Sequence, residues 1–482
     1  MRTDTIAAIA TALSDSGIGI IRISGEAAIE VGDSIFCTKT GKHILHDVKS
    51  HTIHYGYIVD EVYDKISMPG NDWKQYIIDE VMVSVMRAPK SYTMENTVEI
   101  NCHGGVLVMQ KILETALKHG ARMAEPGEFT KRAFLNGRID LSKAEAVMDV
   151  IHSQNDYAYQ SAIGQLNGNL SEAVQNLREE IIYELAFIES ALDDPEHISL
   201  DGYPERLIQK INTLLEKIAR LLSSADNGKL IKEGISTVIV GKPNAGKSSL
   251  LNLMVGEDRA IVTEIAGTTR DVLQESIRLH GIGLNIIDTA GIRDTEDVVE
   301  KIGVEKAKKY AKDADLIIYV VDASVELDES DREIIELLGE KKTIILLNKS
   351  DLDAKVTDEL LRMSIARILS DEVLVDNIKT IRTSTKENIG MEILEDTIKE
   401  MFFSGDLKEN HEIVITNMRH KEALQEAKNS LQFVKKSIQD GMPEDFYSID
   451  LMNAYASLGR IIGEEVEEDL VNEIFSKFCM GK

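Results

Sequence analysis

Two hydrophobic patterns alternate along this chain of 482 residues. The first 120 residues contain short apolar runs of β type, such as Gly19–Ile23 and Val81–Val85, and one helical stretch near 105–119. Farther along, apolar side chains recur at three- and four-residue spacing, as in Ile208–Leu222. That spacing places them on one face of a helix. The pattern predicts an α+β domain followed by a helical domain.

A different group of apolar runs interrupts the helical spacing and includes Ser236–Val240, Leu316–Asp322 and Thr343–Leu347. Continuous apolar runs are typical of parallel strands that are buried on both faces. Helical spacing returns from about residue 415, so the α/β region reads as an insertion, which is tolerated when the ends of the insert lie close together. The predicted fold class is therefore multidomain α/β plus α. The predicted boundaries are 1–122 for the N-terminal domain, 123–230 plus 400–482 for the helical domain, and 231–399 for the insert.

The charge balance is strongly acidic, with 54 Lys and Arg against 82 Asp and Glu. This balance argues against a broad basic surface that would bind nucleic acid through its phosphates. If RNA is a substrate, a partner or a local patch has to supply most phosphate contacts. Three cysteines, Cys37, Cys102 and Cys479, cannot form a disulfide framework, which predicts a reducing cytoplasmic setting. The N-terminal segment lacks a signal-peptide core and no apolar run is long enough for a bilayer, so no membrane association is expected.

The segment Gly241–Ser249 follows a predicted buried strand and has the spacing G-x-x-x-x-G-K-S. In such a loop, backbone N–H groups turn toward phosphates, Lys247 reaches the β and γ oxygens, and Ser248 can ligate Mg²⁺. An accidental glycine-rich turn is the alternative, but the strand-loop-helix context favours a triphosphate site. The loop residues expected at the nucleotide are Asn244, Ala245, Gly246, Lys247, Ser248 and Ser249.

Two later motifs select the base. The run Thr343–Leu347 ends in Asn348, Lys349 and Asp351 with N-K-x-D spacing. A carboxylate at Asp351 can accept both N1–H and N2–H₂ of guanine, and adenine offers no matching pair of donors. The triplet Ser384, Thr385 and Lys386 stands where Ser-Ala-Lys is usual, and a backbone amide there can still contact the base. These motifs predict GTP as the nucleotide and a Ras-like P-loop GTPase domain as the insert.

The catalytic segments lie between these motifs. Thr269, in Gly267-Thr268-Thr269, is the natural switch threonine for Mg²⁺ and the γ-phosphate. A strand ends in Asp288-Thr289-Ala290-Gly291, where Asp288 suits indirect Mg²⁺ contact and Gly291 can approach the γ-phosphate. The next residue, Ile292, cannot orient water as a Gln does in Ras-like GTPases. From the residues alone, the group that positions the water stays open among the nearby acids Asp294, Glu296, Asp297 and Glu300. Asn244 could hold a monovalent cation that replaces an arginine finger.

Motifs over nearly the whole chain resemble the MnmE (TrmE) family of bacterial and organellar tRNA-modification GTPases. Besides the GTPase motifs they include Ala88–Thr93, Cys102–Gly105, Pro126–Thr130, Arg132–Asn136 and the terminal Phe478–Lys482. By this resemblance, Glu300 would orient the catalytic water. The ligands that it implies are Asn244, Thr263, Ile265 and Thr268 for K⁺, and Ser248 and Thr269 for Mg²⁺.

The resemblance also implies a dimerising N-terminal domain, similar to folate-dependent aminomethyltransferases, that binds 5,10-methylene- or 5-formyl-tetrahydrofolate. The residues carried over are Arg22, Glu99, Arg138 and Lys482. A carboxylate can pair with the donor edge of a pterin, and Arg or Lys suits the anionic tail of folate. Taken singly, Arg22 is more often a surface strand cation and Glu99 a solvated carboxylate, and Arg138 could equally cap a helix. The chain departs from the family pattern at Leu13–Gly17, where Pro-Gly-Arg-Gly-Gly is usual, and at Met94, where Gly is usual.

Cys479 is a candidate nucleophile toward C6 of a uridine, and the alternative is a buried structural cysteine beside Phe478. The resemblance implies a homodimer that acts with an FAD-containing flavoprotein of the MnmG type, as a heterotetramer. K⁺-stimulated GTP hydrolysis would then accompany addition of an aminomethyl or carboxymethylaminomethyl group to C5 of the wobble uridine of tRNA. Two alternatives remain: an Era-like ribosome-assembly GTPase, and a nucleotide-dependent scaffold without RNA chemistry. The missing basic RNA-binding region counts against the first, and the intact set Lys247, Thr269 and Glu300 against the second.

Overall fold

The structure is a computed structural model. The described residues are 4–59, 74, 76–257, 274–279, 282–287, 314–338, 341–369, 378–403, 413–466 and 468–481. The chain forms two compact units. The first comprises Met1–Met148, Leu166–Arg178 and Leu458–Lys482, and the second Asp149–Gln165 and Glu179–Ser457. No helix within the described ranges is long and apolar enough to cross a membrane.

The first unit is built on a seven-stranded sheet with the order β3-β4-β5-β6-β2-β1-β7. Neighbouring strands are antiparallel except for the parallel pair β1 and β7. The strands are β1 (Ile6–Ile9), β2 (Ser16–Ser24), β3 (Phe36–Cys37), β4 (Thr52–Val59), β5 (Ile77–Met86), β6 (Thr97–Gly104) and β7 (Arg122–Met123).

Two helices, α1 (Ala28–Ile35) and α2 (Val106–Lys118), pack with one face of this sheet. Side chains alternate between the faces because successive strand residues point to opposite sides. Val83 is therefore fully buried, whereas its neighbour Met82 is 50% exposed. Arg22 and Glu99, two of the residues expected at the N-terminal site, lie on the opposite face. The predicted α+β domain, with a helix near 105–119, is confirmed.

The first unit also contains helices from distant parts of the sequence. They are α3 (Glu128–Leu135), α4 (Leu141–His152) and α14 (Glu468–Ser476), while α6 (Asn169–Asp193) and α13 (Glu444–Ile462) contribute one end each. Leu141 and Met148 form a buried cluster with Val471, Phe475 and Phe478. The C-terminal segment is thus part of the core of the N-terminal unit.

The second unit contains a six-stranded sheet with the order β13-β12-β11-β8-β10-β9. All pairs are parallel except β9 with β10. The strands are β8 (Ile235–Val240), β9 (Gln274–Leu279), β10 (Ile282–Ile287), β11 (Leu316–Asp322), β12 (Lys342–Asn348) and β13 (Lys379–Arg382). A hydrophobic cluster covers each face of this sheet. The continuous apolar runs are therefore buried on both faces, as predicted.

Helices surround the sheet and extend beyond it. Those of the second unit are α5 (Asp156–Leu166), α7 (Tyr203–Glu233), α8 (Lys247–Glu257), α9 (Glu329–Leu338), α10 (Asp358–Leu369), α11 (Met391–Phe403) and α12 (Met418–Gln439). Gly228 of α7 allows the backbone of Ile415 to approach closely, since a Cβ at this glycine would meet the Ile415 carbonyl. Mixed α/β architecture with substantial helix is confirmed, and the three domain boundaries given above stay a prediction.

Candidate functional site

The loop between β8 and α8 turns sharply at two glycines. Gly241 has φ +152° and Gly246 φ +105°, which L side chains rarely adopt. A Cβ at Gly241 would meet the carbonyl oxygen of Val320, and a Cβ at Gly246 would meet the side-chain nitrogen Nδ2 of Asn348. Asn244 lies in the left-handed region, with φ +62°, where Asn is tolerated better than most residues. The backbone therefore turns from a buried strand into a helix N-terminus, a geometry that favours anions.

The ammonium group of Lys247 lies inside this turn. Its Nζ donates to the carbonyl oxygens of Gly241 at 2.6 Å and Lys242 at 2.7 Å. Burial lowers the pKa of Lys247 to about 8, because the charged form is disfavoured away from water. A phosphate in the loop would restore the charged form, since an anion favours the ammonium. Lys247 is thus half-buried, and its ammonium group is directed toward the turn of the loop.

Three neighbouring residues expected at the nucleotide share the same short segment. Ser248 and Ser249 lie in the first turn of α8, and Ala245 is 1% exposed. The Ser248 hydroxyl and the Asn244 side-chain carbonyl are hard oxygen donors, which suit Mg²⁺ and K⁺ respectively. The residues present therefore fit both ions.

Asn348 connects the loop Gly241–Ser249 to the segment that is predicted to bind the base. Its side chain is 1% exposed; Nδ2 donates to the Ala245 carbonyl at 2.8 Å, and Oδ1 accepts from the Thr385 amide at 3.1 Å. The hydroxyl of Ser384 donates to Oδ1 of Asp351 at 2.6 Å and lowers the pKa of this exposed carboxylate. Asp351 is therefore ionised at neutral pH and able to accept the two guanine donors.

Lys349 forms an ion pair with Asp322, a residue for which the sequence predicted no role. Lys349 adopts φ +61°, and its Nζ pairs with Oδ2 of Asp322 at 2.6 Å. Burial alone would raise the pKa of Asp322, but hydrogen bonds from Lys349 and Ser324 outweigh it and the pKa is lowered. The position of Asp322 could have indicated this role, because it is an acid at the end of the buried strand β11, which pairs with the strand that carries Asn348. Lys386, by contrast, is exposed.

A second set of predicted residues gathers around Tyr92 in the first unit. Arg22 and Glu99 face each other on β2 and β6, with Nε 2.7 Å from Oε1. The guanidinium of Arg22 lies 5.5 Å from the Tyr92 ring centroid, and that of Arg138 lies 4.8 Å from the same ring. Arg138 also donates to the Tyr92 carbonyl at 3.0 Å. Tyr92 belongs to the motif Ala88–Thr93, but nothing in that motif indicates that its ring contacts both arginines.

A cleft of about 490 Å³ opens beside Arg138. Its lining contains three basic side chains and no carboxylate: His51, Met86, Pro89, Lys90, Ser91, Tyr92, Met94 and Arg138. Met94 has φ +63°, a left-handed conformation in which glycine is favoured over residues with a side chain. Cations and an aromatic ring fit a flat, anionic ligand such as a folate.

The C-terminal segment reaches the same region. The Gly481 carbonyl accepts from Nη1 of Arg22 at 3.3 Å, and the Cys479 carbonyl accepts from the Gly127 amide at 3.3 Å. The Cys479 side chain is exposed, whereas Phe478 is 8% exposed and lies against Phe475. The alternative of a buried structural cysteine is therefore wrong, and the nucleophile role stays a prediction.

Several predicted site residues lie outside the described residues, and their assigned roles stay predictions. They are Thr263, Ile265, Gly267, Thr268, Thr269, Asp288, Thr289, Ala290, Gly291, Glu300 and Lys482. Within the described ranges, no group of three or more His, Cys, Asp or Glu side chains could hold a metal ion.

Comparisons with known proteins cover both units. The family model for the GTP-binding protein TrmE N-terminus matches residues 5–138, and the MnmE helical domain model matches residues 141–479. The tRNA modification GTPase MnmE of Lachnoclostridium phytofermentans is 57% identical over 482 residues, which is 100% of both chains. That of Alkaliphilus oremlandii is 48% identical over 99% of both chains. Full-length matches at these identities mean that the chain belongs to the MnmE (TrmE) family of tRNA-modification GTPases.

Proposed function

We propose that this chain binds and hydrolyses GTP at the loop Gly241–Ser249, and that it acts in the cytoplasm on the wobble uridine of tRNA. The observation that carries the proposal is Asn348, which is buried and hydrogen-bonded to both the phosphate loop and the base-binding segment. In this proposal, one residue would fix the distance between the phosphate site and the guanine site. The ionised Asp351 supports GTP over ATP, because adenine would leave this carboxylate without donors.

Mg²⁺ and K⁺ would supply positive charge for the phosphates during hydrolysis. Ser248, with Thr269, would hold Mg²⁺. Asn244, with Thr263, Ile265 and Thr268, would hold K⁺, and Glu300 would orient the attacking water. Lys247 would contact the β and γ oxygens from its position in the loop turn.

The one-carbon unit would come from a tetrahydrofolate derivative bound beside Tyr92. Arg22 and Arg138 would face its anionic groups, and Glu99 its pterin edge, with Lys482 closing the site. The contacts at Tyr92 and the acid-poor cleft support this assignment. The attached group would be aminomethyl or carboxymethylaminomethyl at C5 of the uridine.

Two partners complete the proposal. Ile53, Tyr55 and Met82 are 67%, 52% and 50% exposed on the open side of the N-terminal sheet. A contiguous exposed apolar surface favours protein contact, which supports a homodimer. An MnmG-type flavoprotein would bring FAD and, because this chain carries an excess of acidic residues, most of the contacts to tRNA phosphates. The full-length family matches favour this function over an Era-like GTPase or a scaffold.

The test is mass spectrometry of wobble uridines in cells that lack this protein. Re-expression of the wild type should restore the C5 modification, and Lys247→Ala should not. Lys436→Ala removes an exposed lysine of α12 and serves as the matched control, which should restore it fully. The proposal would be refuted if the level of C5 modification at the wobble uridine is the same in the deleted and the complemented cells. A changed ribosome profile with normal uridines would point to the Era-like alternative.

A further inference from the structure

The second residue of the loop, Lys242, is held by two acids at the start of α9. Its Nζ lies 2.7 Å from Oδ2 of Asp331 and 3.0 Å from Oδ2 of Asp328. Asp331 is only 1% exposed. A buried carboxylate needs a partner, because an isolated buried charge is costly. Lys242 therefore compensates the negative charge of Asp331, which would otherwise be buried without a cationic partner.

The two acids are themselves fixed in place. Asp328 caps α9: its Oδ1 accepts from the backbone amides of Ser330 at 3.0 Å and Asp331 at 3.4 Å, and its own amide donates to Oδ2 of Asp331 at 2.9 Å. This reciprocal arrangement is a capping box. The buried hydroxyl of Tyr319, on the central strand β11, donates to the other oxygen of Asp331 at 2.7 Å. The helix start and the central strand thus set the position of the Lys242 ammonium.

Lys242 connects this cluster to the lysine expected at the phosphates. Its backbone carbonyl accepts from Lys247 Nζ at 2.7 Å, alongside the Gly241 carbonyl at 2.6 Å. The Lys242 side chain points to the acids while its carbonyl faces Lys247, so one residue carries both contacts. Burial disfavours the Lys242 ammonium, but the hydrogen bonds to Asp331 and Asp328 outweigh it and its pKa is raised. The cation therefore stays charged throughout the physiological pH range.

We propose that Lys242 is a positioning residue for GTP binding: its side chain, locked to the capping acids of α9, holds the loop backbone in the conformation that presents Lys247. The inference rests on the assignment of Gly241–Ser249 as the phosphate loop. Lys242 acts through the loop, and its ammonium is committed to Asp331 and Asp328. A preorganised loop binds more tightly because less ordering is left for the binding step.

The experiment measures GTP affinity, KM and kcat in full-length variants, with fluorescent GDP and GTP analogues as probes. Lys242→Met removes the charge and keeps the stem, and we expect KM for GTP to rise about 10-fold or more while kcat at saturating GTP stays within about 2-fold. Lys242→Arg should recover most of the affinity, since a guanidinium can also pair with both acids. Arg332→Ala removes an exposed cation from the same helix and should leave KM unchanged.

Tyr319→Phe provides a second variant that leaves all charges in place. It removes one hydrogen bond from Asp331, so KM should rise in the same direction but less. This variant also tests the proposal if Lys242→Met does not fold. The inference would be overturned if Tyr319→Phe has the KM of the wild type and Lys242→Met either has the same KM or does not fold. So would a fall in kcat alone, or failure of Lys242→Arg to recover affinity.

Lys247→Ala separates this inference from the proposed function. If Lys247→Ala abolishes GTP binding while the Lys242 variants bind normally, only the positioning role fails. If Lys247→Ala binds GTP normally, the assignment of the phosphate loop itself is wrong.

Discussion

Asn348→Ala tests the connection between the phosphate loop and the guanine site. The substitution removes the donor to the Ala245 carbonyl and the acceptor for the Thr385 amide, which lie at 2.8 Å and 3.1 Å. Ala245 is 1% exposed, so its carbonyl would lose its partner without gaining access to water. An unsatisfied buried group costs about 1–3 kcal/mol. Thr385 is partly exposed, and its amide can recover part of the loss in solvent.

The two losses together amount to about 2–4 kcal/mol. If this cost falls on the binding-competent arrangement of the two loops, affinity for GTP and GDP decreases by about 30- to 1,000-fold. The assay is a fluorescence titration with labelled GDP and GTP. Circular dichroism of the same samples checks that the sheet of the second unit persists. The free-energy cost lies in the arrangement of the two loops and not in a contact with the nucleotide. The affinities for GTP and GDP should therefore fall by the same factor.

Two further substitutions sharpen the result. Asn348→Asp keeps an acceptor for Thr385 but sets a carboxylate oxygen against the Ala245 carbonyl, so it should bind at least as weakly as Asn348→Ala. Thr385→Val removes only a hydroxyl that lies 3.4 Å from Asn348, at the limit of a hydrogen bond, and should change affinity little. Wild-type affinity in Asn348→Ala would refute the reasoning, as would an equal loss in Thr385→Val.

Four other measurements address the chemistry. Lys247 has a folded-state pKa of about 8 against 10.5 when exposed, so GTP binding should take up a proton above pH 8, and affinity should fall as pH rises through that range; calorimetry in buffers of different ionisation enthalpy measures the uptake. Glu300→Ala should leave GTP binding near normal while hydrolysis collapses, and replacement of K⁺ by Na⁺ should depress wild-type turnover sharply. Arg138→Gln should weaken binding of 5-formyl-tetrahydrofolate about 10-fold in calorimetry, because a charge-assisted contact is lost.

Each of these predictions would be contradicted by a specific result. Heat of binding that is independent of the buffer above pH 8 would mean that Lys247 stays protonated in the absence of GTP. Unchanged turnover in Glu300→Ala would exclude it as the water-orienting residue, and equal rates in both salts would exclude a K⁺ role at Asn244. Folate affinity that is equal in Arg138→Gln and in the exposed-lysine variant Lys436→Ala would place the ligand elsewhere.

The sheet of the second unit could be predicted because its strands are buried on both faces. Such strands need apolar residues at every position, and runs such as Leu316–Asp322 carry that signature in one stretch of sequence. The loop Gly241–Ser249 could be predicted for a related reason. Its glycines occupy positive φ, and few other residues can replace them there. Both features depend on local chemistry.

The contacts that assemble the sites could not be predicted in this way. Asn348 and Ala245 lie 103 positions apart, and they meet only because β12, β11 and β8 are neighbours in the sheet. The pairing of Arg22 with Glu99 depends on the register of β2 against β6, and a shift of one residue would turn either side chain to the core. Asp331 reads as an ordinary helix-start acid in the sequence, although it is buried beneath Tyr319 and Lys242.

The cluster of Leu141, Met148, Val471, Phe475 and Phe478 also has a consequence for synthesis. Residues 148 and 458, which bound the two segments, lie about 310 positions apart; at about 5–20 residues per second a ribosome needs ~15–60 s between them. During that time the apolar side of α3 and α4 is exposed to solvent because the C-terminal residues that pack on it have not been synthesised. A chaperone that binds apolar surfaces can bind it in this interval. A chain ending at residue 457 should therefore be cleaved rapidly by protease within 128–148, whereas the full chain resists. Equal resistance of the two chains would mean that the N-terminal segment completes its own core during translation.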